Sequence, residues 1–334
     1  MPYLLEKLEQ AGLPPLISQS ENEKNWQQKM LAIKKTWKNI VKELASPLDP
    51  IYQIISEEKE KKHVRRKIIY QTGDGDQVTA NLLIPLDTAF PCPAVLALHP
   101  TEPLGKDDIS HPRGRKSRRY GMELADRGYI VLAPDCITAG ERVKAGAEPF
   151  QTRFFYADHP EWTAAGKMIS DHIQGIELLC NLEEVDSERI GAIGHSLGGY
   201  NSFFLSSLDS RVKAVVCSCG LSVFTGDPEQ NRWGKRDWFS HFPELTPLTE
   251  AGEIPFEFHE ILSLHAPRPL FVWMTMNDAI FPHWQRIAEG LGHIDQLYRL
   301  LGENEKFDCL IGNKGHDFPS DIREFSYEFL NKWL

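Results

Sequence analysis

The stretch Gly194-His195-Ser196-Leu197-Gly198-Gly199 constrains this chain more than any other. It follows a short apolar run, Ile190-Gly191-Ala192-Ile193, that reads as a buried strand, and it precedes Tyr200 to Leu208, which reads as a helix. A serine at the tip of so sharp a strand-to-helix turn sits in a strained backbone conformation. Side chains close on either side of it would collide with the strand and helix being joined. Gly194 and Gly198 relieve that crowding, and Gly199 lets the helix pack close. The string G-x-S-x-G alone also describes an ordinary glycine-rich turn; the strand before it and the helix after it make Ser196 a candidate nucleophile.

A serine hydroxyl is a weak nucleophile until a base takes its proton, and the base must itself be oriented by a carboxylate. On a strand-turn-helix scaffold of this kind, acid and base follow on loops after the last strands. Asp278 comes after the apolar run Leu270-Phe271-Val272-Trp273-Met274, and His316 comes after the final strand-like run, in Gly315-His316-Asp317-Phe318-Pro319. Asp135, after the run ending at Pro134, is the alternative acid. His283, His293 and His265 read as surface or packing residues, and His195 is expected to point away from the nucleophile's partners. The histidines lack ligand spacing such as HExxH, which leaves a histidine metal site the weaker alternative.

Attack on a carbonyl creates an oxyanion that needs two preorganised N–H donors. Leu197, directly after the nucleophile, supplies the first. The second is expected from the loop His99-Pro100-Thr101-Glu102, where Pro100 has no N–H and Thr101 is the better donor. Beyond that loop, Arg113, Arg115, Lys116, Arg118 and Arg119 form a basic cluster, either a solvated helix start or a partner for an anionic substrate group.

Residues 1–64 read as an N-terminal helical extension. Ser20 and Glu23 make a capping box, and Trp26, Met30, Ile33, Trp37, Ile40, Val41 and Leu44 recur at helical spacing to give one apolar face. That face must be buried against the rest of the chain, in a pocket wall, or in a homo-oligomer contact. From Val64 the period becomes strand-like. Arg66 to Gln71 and Gln77 to Ile84 flank Thr72-Gly73-Asp74-Gly75-Asp76, a hairpin turn. Strand-like and helix-like segments alternate from there to the C-terminus, with Trp284 to Leu300 and Ser320 to Trp333 the last helices. The pattern predicts an α/β fold over residues 65–334, a mostly parallel twisted sheet of about eight strands with helices on both faces. An insertion at 221–265 near the active site carries Phe224, Trp233, Trp238, Phe239 and Phe242, which either line a pocket or pack internally.

With 37 basic against 47 acidic residues the net charge is −10, which argues against nucleic-acid or anionic-membrane partners. No uncharged apolar run approaches membrane-spanning length and Met1 to Glu6 carry no positive leader, so a cytoplasmic location is expected. The six cysteines are scattered without CxxC pairs and read as reduced and structural.

Together the elbow, the lead-in Val185-Asp186-Ser187-Glu188-Arg189-Ile190-Gly191, the run Leu208-Asp209-Ser210-Arg211-Val212, Ala266-Pro267-Arg268-Pro269-Leu270 and Gly315-His316-Asp317-Phe318-Pro319 carry a resemblance. Over about residues 65–334 the chain resembles the α/β-hydrolase superfamily, most closely its dienelactone hydrolase-like and acetyl xylan esterase-like branch. It departs from that branch in having His99-Pro100 where such hydrolases usually carry His-Gly, and in having neither an RGQG loop nor a cysteine nucleophile. The resemblance implies a cofactor-free serine esterase acting on a small-molecule ester through an acyl-enzyme, with Ser196, Asp278 and His316 as its triad. The same triad would also serve an amide or peptide hydrolase, and a ligand-binding protein on a hydrolase scaffold is the non-catalytic alternative.

Overall fold

The run Pro93 to Leu98 is apolar at nearly every position, so it is stable only as a strand covered on both faces, and it lies near the middle of a nine-stranded sheet. The computed structural model describes residues 2–17, 22–42 and 44–334. In chain order the strands of the sheet are β1 (Tyr52–Lys59), β2 (His63–Gln71), β3 (Gln77–Pro85), β4 (Cys92–Leu98) and β5 (Ile130–Pro134). They are followed by β6 (Val185–His195), β7 (Val212–Ser218), β8 (Leu270–Thr275) and β9 (Phe307–Gly312). Across the sheet the order is β9-β8-β7-β6-β4-β5-β3-β2-β1. From β9 to β5 all neighbours are parallel, and β3, β2 and β1 extend the sheet as an antiparallel meander. The expected hairpin is in register, with Gln71 opposite Gln77 across the turn.

Two apolar layers cover the sheet. One holds Leu96, Leu98, Leu132, Ala192 and the helices Ala164–Cys180 and Leu197–Leu208. The other holds Val95, Ala97, Val131, Ile193, Val216 and the helix Ser320–Trp333. Alternate residues of one strand thus feed opposite layers, as the pleat requires. Because the central strands are parallel, their carboxyl ends share one edge, and the loops that follow β4, β6, β8 and β9 gather there.

The N-terminal extension read over residues 1–64 contains a strand as well as helices. Helices occupy Leu5–Ala11 and Glu23–Val41, but Tyr52–Lys59 is the edge strand β1. Its sequence, Tyr-Gln-Ile-Ile-Ser-Glu-Glu-Lys, is exposed at every residue but the first, so no buried face imposed an alternating pattern. The charges of Glu57, Glu58 and Lys59 suit a sheet margin that must not pair with another chain. Ser20, assigned to a capping box, lies outside the described residues; the helix is capped by Asn22, whose side chain accepts from the Asn25 N–H at 3.1 Å.

The apolar face of the Glu23–Val41 helix is covered by the chain itself. Trp26, Ile33, Trp37 and Val41 are buried in the core. The Trp37 ring lies 4.8 Å from that of Phe204 on the helix Leu197–Leu208, and 5.5 Å from both Phe242 and Phe256 of the insertion. Its indole N–H donates to Ser207 Oγ at 2.8 Å. A short antiparallel pairing of Tyr3–Leu4 with Glu253–Ile254 ties the N-terminus to the same insertion. Among the described residues, no helix is long and apolar enough to cross a membrane.

Candidate active site

Strand β6 ends at His195, the helix begins at Leu197, and Ser196 between them has φ 55° and ψ −117°. A non-glycine residue with positive φ costs about 1–3 kcal/mol and persists only where its surroundings over-determine it. Here the Ser196 N–H donates to Ser218 O at 2.8 Å, and its carbonyl accepts from the Tyr200 N–H at 3.1 Å. The glycines are sterically required. A Cβ on Gly198 would stand 1.9 Å from the Leu98 carbonyl oxygen, and one on Gly194 would stand 2.2 Å from the Gly198 backbone. Gly199 packs against β7, where an added Cβ would meet Ser218 O at 2.8 Å.

Asp278 and His316 come together from the loops after β8 and β9. His316 Nδ1 lies 2.7 Å from Asp278 Oδ2. The other carboxylate oxygen accepts from the N–H groups of Ile280 at 2.7 Å and Phe281 at 3.0 Å, which fixes the plane of the carboxylate. Burial pushes the Asp278 pKa up, but the hydrogen bond and charge of His316, with the two backbone N–H groups, outweigh it and hold the carboxyl below its ordinary value. The His316 loop is tied to the neighbouring strand β8 by the Trp273 indole N–H, which donates to Asp317 O at 2.9 Å, and by Thr275 Oγ1, which donates to Lys314 O. His316 Nε2 is buried with no hydrogen-bond partner among the described residues, the Ser196 hydroxyl included. Both residues face one cavity.

The alternative acid is committed elsewhere. Asp135 is fully buried and accepts from Lys106 Nζ at 2.7 Å, the Thr79 hydroxyl at 2.7 Å and the Lys106 N–H at 2.8 Å. Cys219 approaches Asp278 and His316 closely enough for the three to be spaced like metal ligands, but carboxylate and imidazole are already bonded to each other. Burial raises the Cys219 thiol pKa.

At the β4 end, the Cys136 N–H donates to His99 Nε2 at 3.0 Å, so the proton of this buried ring is on Nδ1, which donates to Pro100 O at 2.7 Å. Burial lowers the His99 pKa and keeps the ring neutral. In a trans peptide the C=O and the following N–H point in opposite directions. With the Pro100 carbonyl drawn to His99, the Thr101 N–H faces the other way, and Pro100 and Thr101 line the cavity with Ser196. Leu197 is the first residue of its helix, so its N–H has no intrahelical acceptor.

The cavity has a volume of about 620 Å³. The insertion supplies much of its wall: Trp233 and Trp238 face it, whereas Phe224, Phe239 and Phe242 pack in the core. Arg232 grips Asp227 through two hydrogen bonds of 2.7 and 2.9 Å, and Arg236 holds Glu229 at 2.8 Å. Of the basic cluster at 113–119, only Arg118 reaches the cavity. Arg113 pairs with Asp107, Arg115 with Glu102 at 2.7 Å, and Arg119 donates to the carbonyls of Gly114 and Pro112.

His195 does not point away as expected. Its ring centre lies 5.0 Å from that of His316, and it lines the cavity. Burial, reinforced by His316, pushes its pKa well down, so it is a neutral wall with Nδ1 3.0 Å from Ser218 Oγ. Residues not foreseen from sequence include Tyr200, Arg232, Arg236 and His241. Tyr200 had a legible signal: it stands one helical turn after Ser196, on the same face. His241 had none, and it reaches the Tyr200 hydroxyl at 2.6 Å only through the fold of the insertion.

Known proteins resemble this chain to different extents. The description "Dienelactone hydrolase family" matches residues 87–235, which include Thr101 and Ser196 but stop short of Asp278 and His316. The Bacillus subtilis (strain 168) protein named "Putative hydrolase YtaP" is 28% identical over 287 residues, covering 83% of this chain and 90% of its own. A glucuronoyl esterase from Solibacter usitatus superposes with a TM-score of 0.72 at 19% identity, covering 96% of this chain and 97% of that one. An acetyl xylan esterase from Paenibacillus sp. R4 gives a TM-score of 0.59 at 18% identity, over 98% and 99% of the two chains. Sheet order, elbow and these likenesses together show an α/β-hydrolase fold, with residues 87–235 matching the dienelactone hydrolase family.

Proposed function

We propose that this protein is a carboxylic ester hydrolase working through Ser196, His316 and Asp278. The observation that carries the reading is that Ser196, on its strained turn, shares a cavity with the unpartnered Nε2 of a histidine whose Nδ1 is held 2.7 Å from a buried carboxylate. His316 Nε2 takes the Ser196 Oγ proton as Oγ bonds to the ester carbonyl carbon. Asp278 keeps the other ring proton on Nδ1 and stabilises the imidazolium. The N–H groups of Leu197 and Thr101 receive the oxyanion. Collapse expels the alcohol, which takes the proton from His316, and leaves an acyl-serine. Water, deprotonated by the same Nε2, then releases the acid. Esterase names among the proteins of this fold support an ester over other acyl substrates.

The test is hydrolysis of para-nitrophenyl esters from acetate to octanoate by wild type, Ser196→Ala and His316→Ala. Turnover by the wild type should fall by roughly three orders of magnitude or more in each variant. Full activity in purified Ser196→Ala would exclude the serine mechanism.

A further inference from the structure

A second cavity of about 420 Å³ adjoins the first, and Arg236 and Trp238 belong to the walls of both. We infer that this second cavity is the subsite for the far end of an extended ester substrate, and that the group it receives carries a carboxylate. The inference rests on the ester-hydrolase reading and adds the class of substrate.

The second cavity is a braced structure rather than a surface dip. Its walls come from the insertion, from the segment 152–163 and from Lys42 just beyond the N-terminal helix. The Thr152 N–H donates to Trp238 O at 2.9 Å, the Ser240 N–H donates to Thr152 Oγ1 at 3.0 Å, and the Tyr156 hydroxyl donates to Ser240 O at 2.9 Å. Lys42 Nζ closes one end on Glu244 at 2.6 Å.

Its chemistry is aromatic faces with cations between them. Trp238, whose backbone carbonyl is held by Thr152, keeps 37% of its surface exposed and lines both cavities, a large apolar area. The Arg236 guanidinium lies 4.7 Å from the centre of its ring. Lys42 and Arg236 are neutralised by Glu244 and Glu229. Arg153 and Lys235 have no carboxylate partner among the described residues, and Asp237 is the remaining acid in the wall. Two unpaired cations against one unpaired carboxylate stand out on a chain whose net charge is −10. A planar or chain-like spacer can lie along Trp238 with its ester carbonyl at Ser196, which leaves a terminal carboxylate within the field of Arg153 and Lys235.

Two matched ester pairs separate the outcomes: para-nitrophenyl hydrogen pimelate against para-nitrophenyl heptanoate, with the charge on the acyl side, and acetoxybenzoate against methyl acetoxybenzoate, with the charge on the alcohol side. The anionic member of at least one pair should have the higher kcat/KM, by about tenfold at low salt, and the ratio should shrink at about 0.5 M salt. In the doubly substituted Arg153→Gln, Lys235→Gln protein the anionic-to-neutral ratio should approach one. Equal rates within both pairs, or a ratio unaltered by the double substitution, overturns the subsite while leaving the ester reading intact. Failure to turn over any of the four esters, together with no labelling of Ser196 by a serine-directed phosphonate, removes the ester reading and the subsite with it.

Discussion

The pairing of Asp278 with His316 governs both chemistry and acid stability under the proposed mechanism. Asp278→Asn retains the size of the side chain but cannot hold the Nδ1 proton of His316 in place, so kcat should fall by roughly 10²- to 10⁴-fold with little change in KM. The Asp278 carboxyl is held below its ordinary value of 3.8, so its contribution to stability is fully present above that pH and is lost as pH falls through the lowered folded value. The gap in melting temperature between wild type and Asp278→Asn should therefore be widest above about pH 4 and close on acidification. A gap that widened toward low pH would contradict this sign. Gly198 is a harder case: a methyl group there meets the Leu98 carbonyl oxygen at 1.9 Å, and neither strand nor helix can move without displacing Ser196. Gly198→Ala should lose more than about 3 kcal/mol in denaturant unfolding or fail to fold.

Among the helices, Glu23–Val41 and Leu197–Leu208 have an interface that links the N-terminus to the turn at Ser196. Trp37 is fully buried between Phe204, Phe242 and Phe256, and its only polar atom is satisfied by Ser207. Trp37→Ala should cost about 3–5 kcal/mol in urea unfolding, the range for truncating a large buried aromatic. Trp37→Phe keeps most of the apolar area but removes the hydrogen bond to Ser207, whose hydroxyl still donates to Phe204 O at 2.7 Å, and should cost about 1–2 kcal/mol. If both substitutions cost less than about 1 kcal/mol, the helix is a loosely held appendage rather than part of the core.

The whole molecule is interlocked by contacts distant in sequence. Tyr3 and Leu4 pair with Ile254 and Glu253, and Trp37 meets both the helix Leu197–Leu208 and the insertion. A chain beginning at residue 46 would uncover Phe204, Phe242 and Phe256, all fully buried. It should bind an apolar dye and self-associate in size-exclusion chromatography, whereas an independently removable extension would leave a monodisperse and active remainder. The insertion behaves likewise: its aromatics divide between core and cavity, so pocket shape and global stability are coupled.

Local chemistry was legible wherever one short segment carried the whole requirement. Gly194, Gly198 and Gly199 declare the elbow because a sharp turn forbids side chains at those positions. Continuous apolar runs declare β4, β5 and β8 because a strand covered on both faces has no polar option. Asp278 and His316 were placed from their order after the late strands, and the fold brings them within 2.7 Å. The edge strand β1 was illegible because its residues face solvent and follow no hydrophobic period. His195 was misread because the direction of a side chain at the end of a strand depends on the neighbours it meets, here His316 and Phe318. The cavity wall, with Arg236, Trp238 and His241, lay beyond any pattern in the sequence. Its residues are irregular in local structure, and their places are set by hydrogen bonds to segments 84 or more residues away, such as Thr152 to Trp238. The sequence alone therefore determines the candidate reacting groups, which local sterics and strand order specify. The space around them is decided by tertiary packing, because it depends on contacts that no single segment encodes.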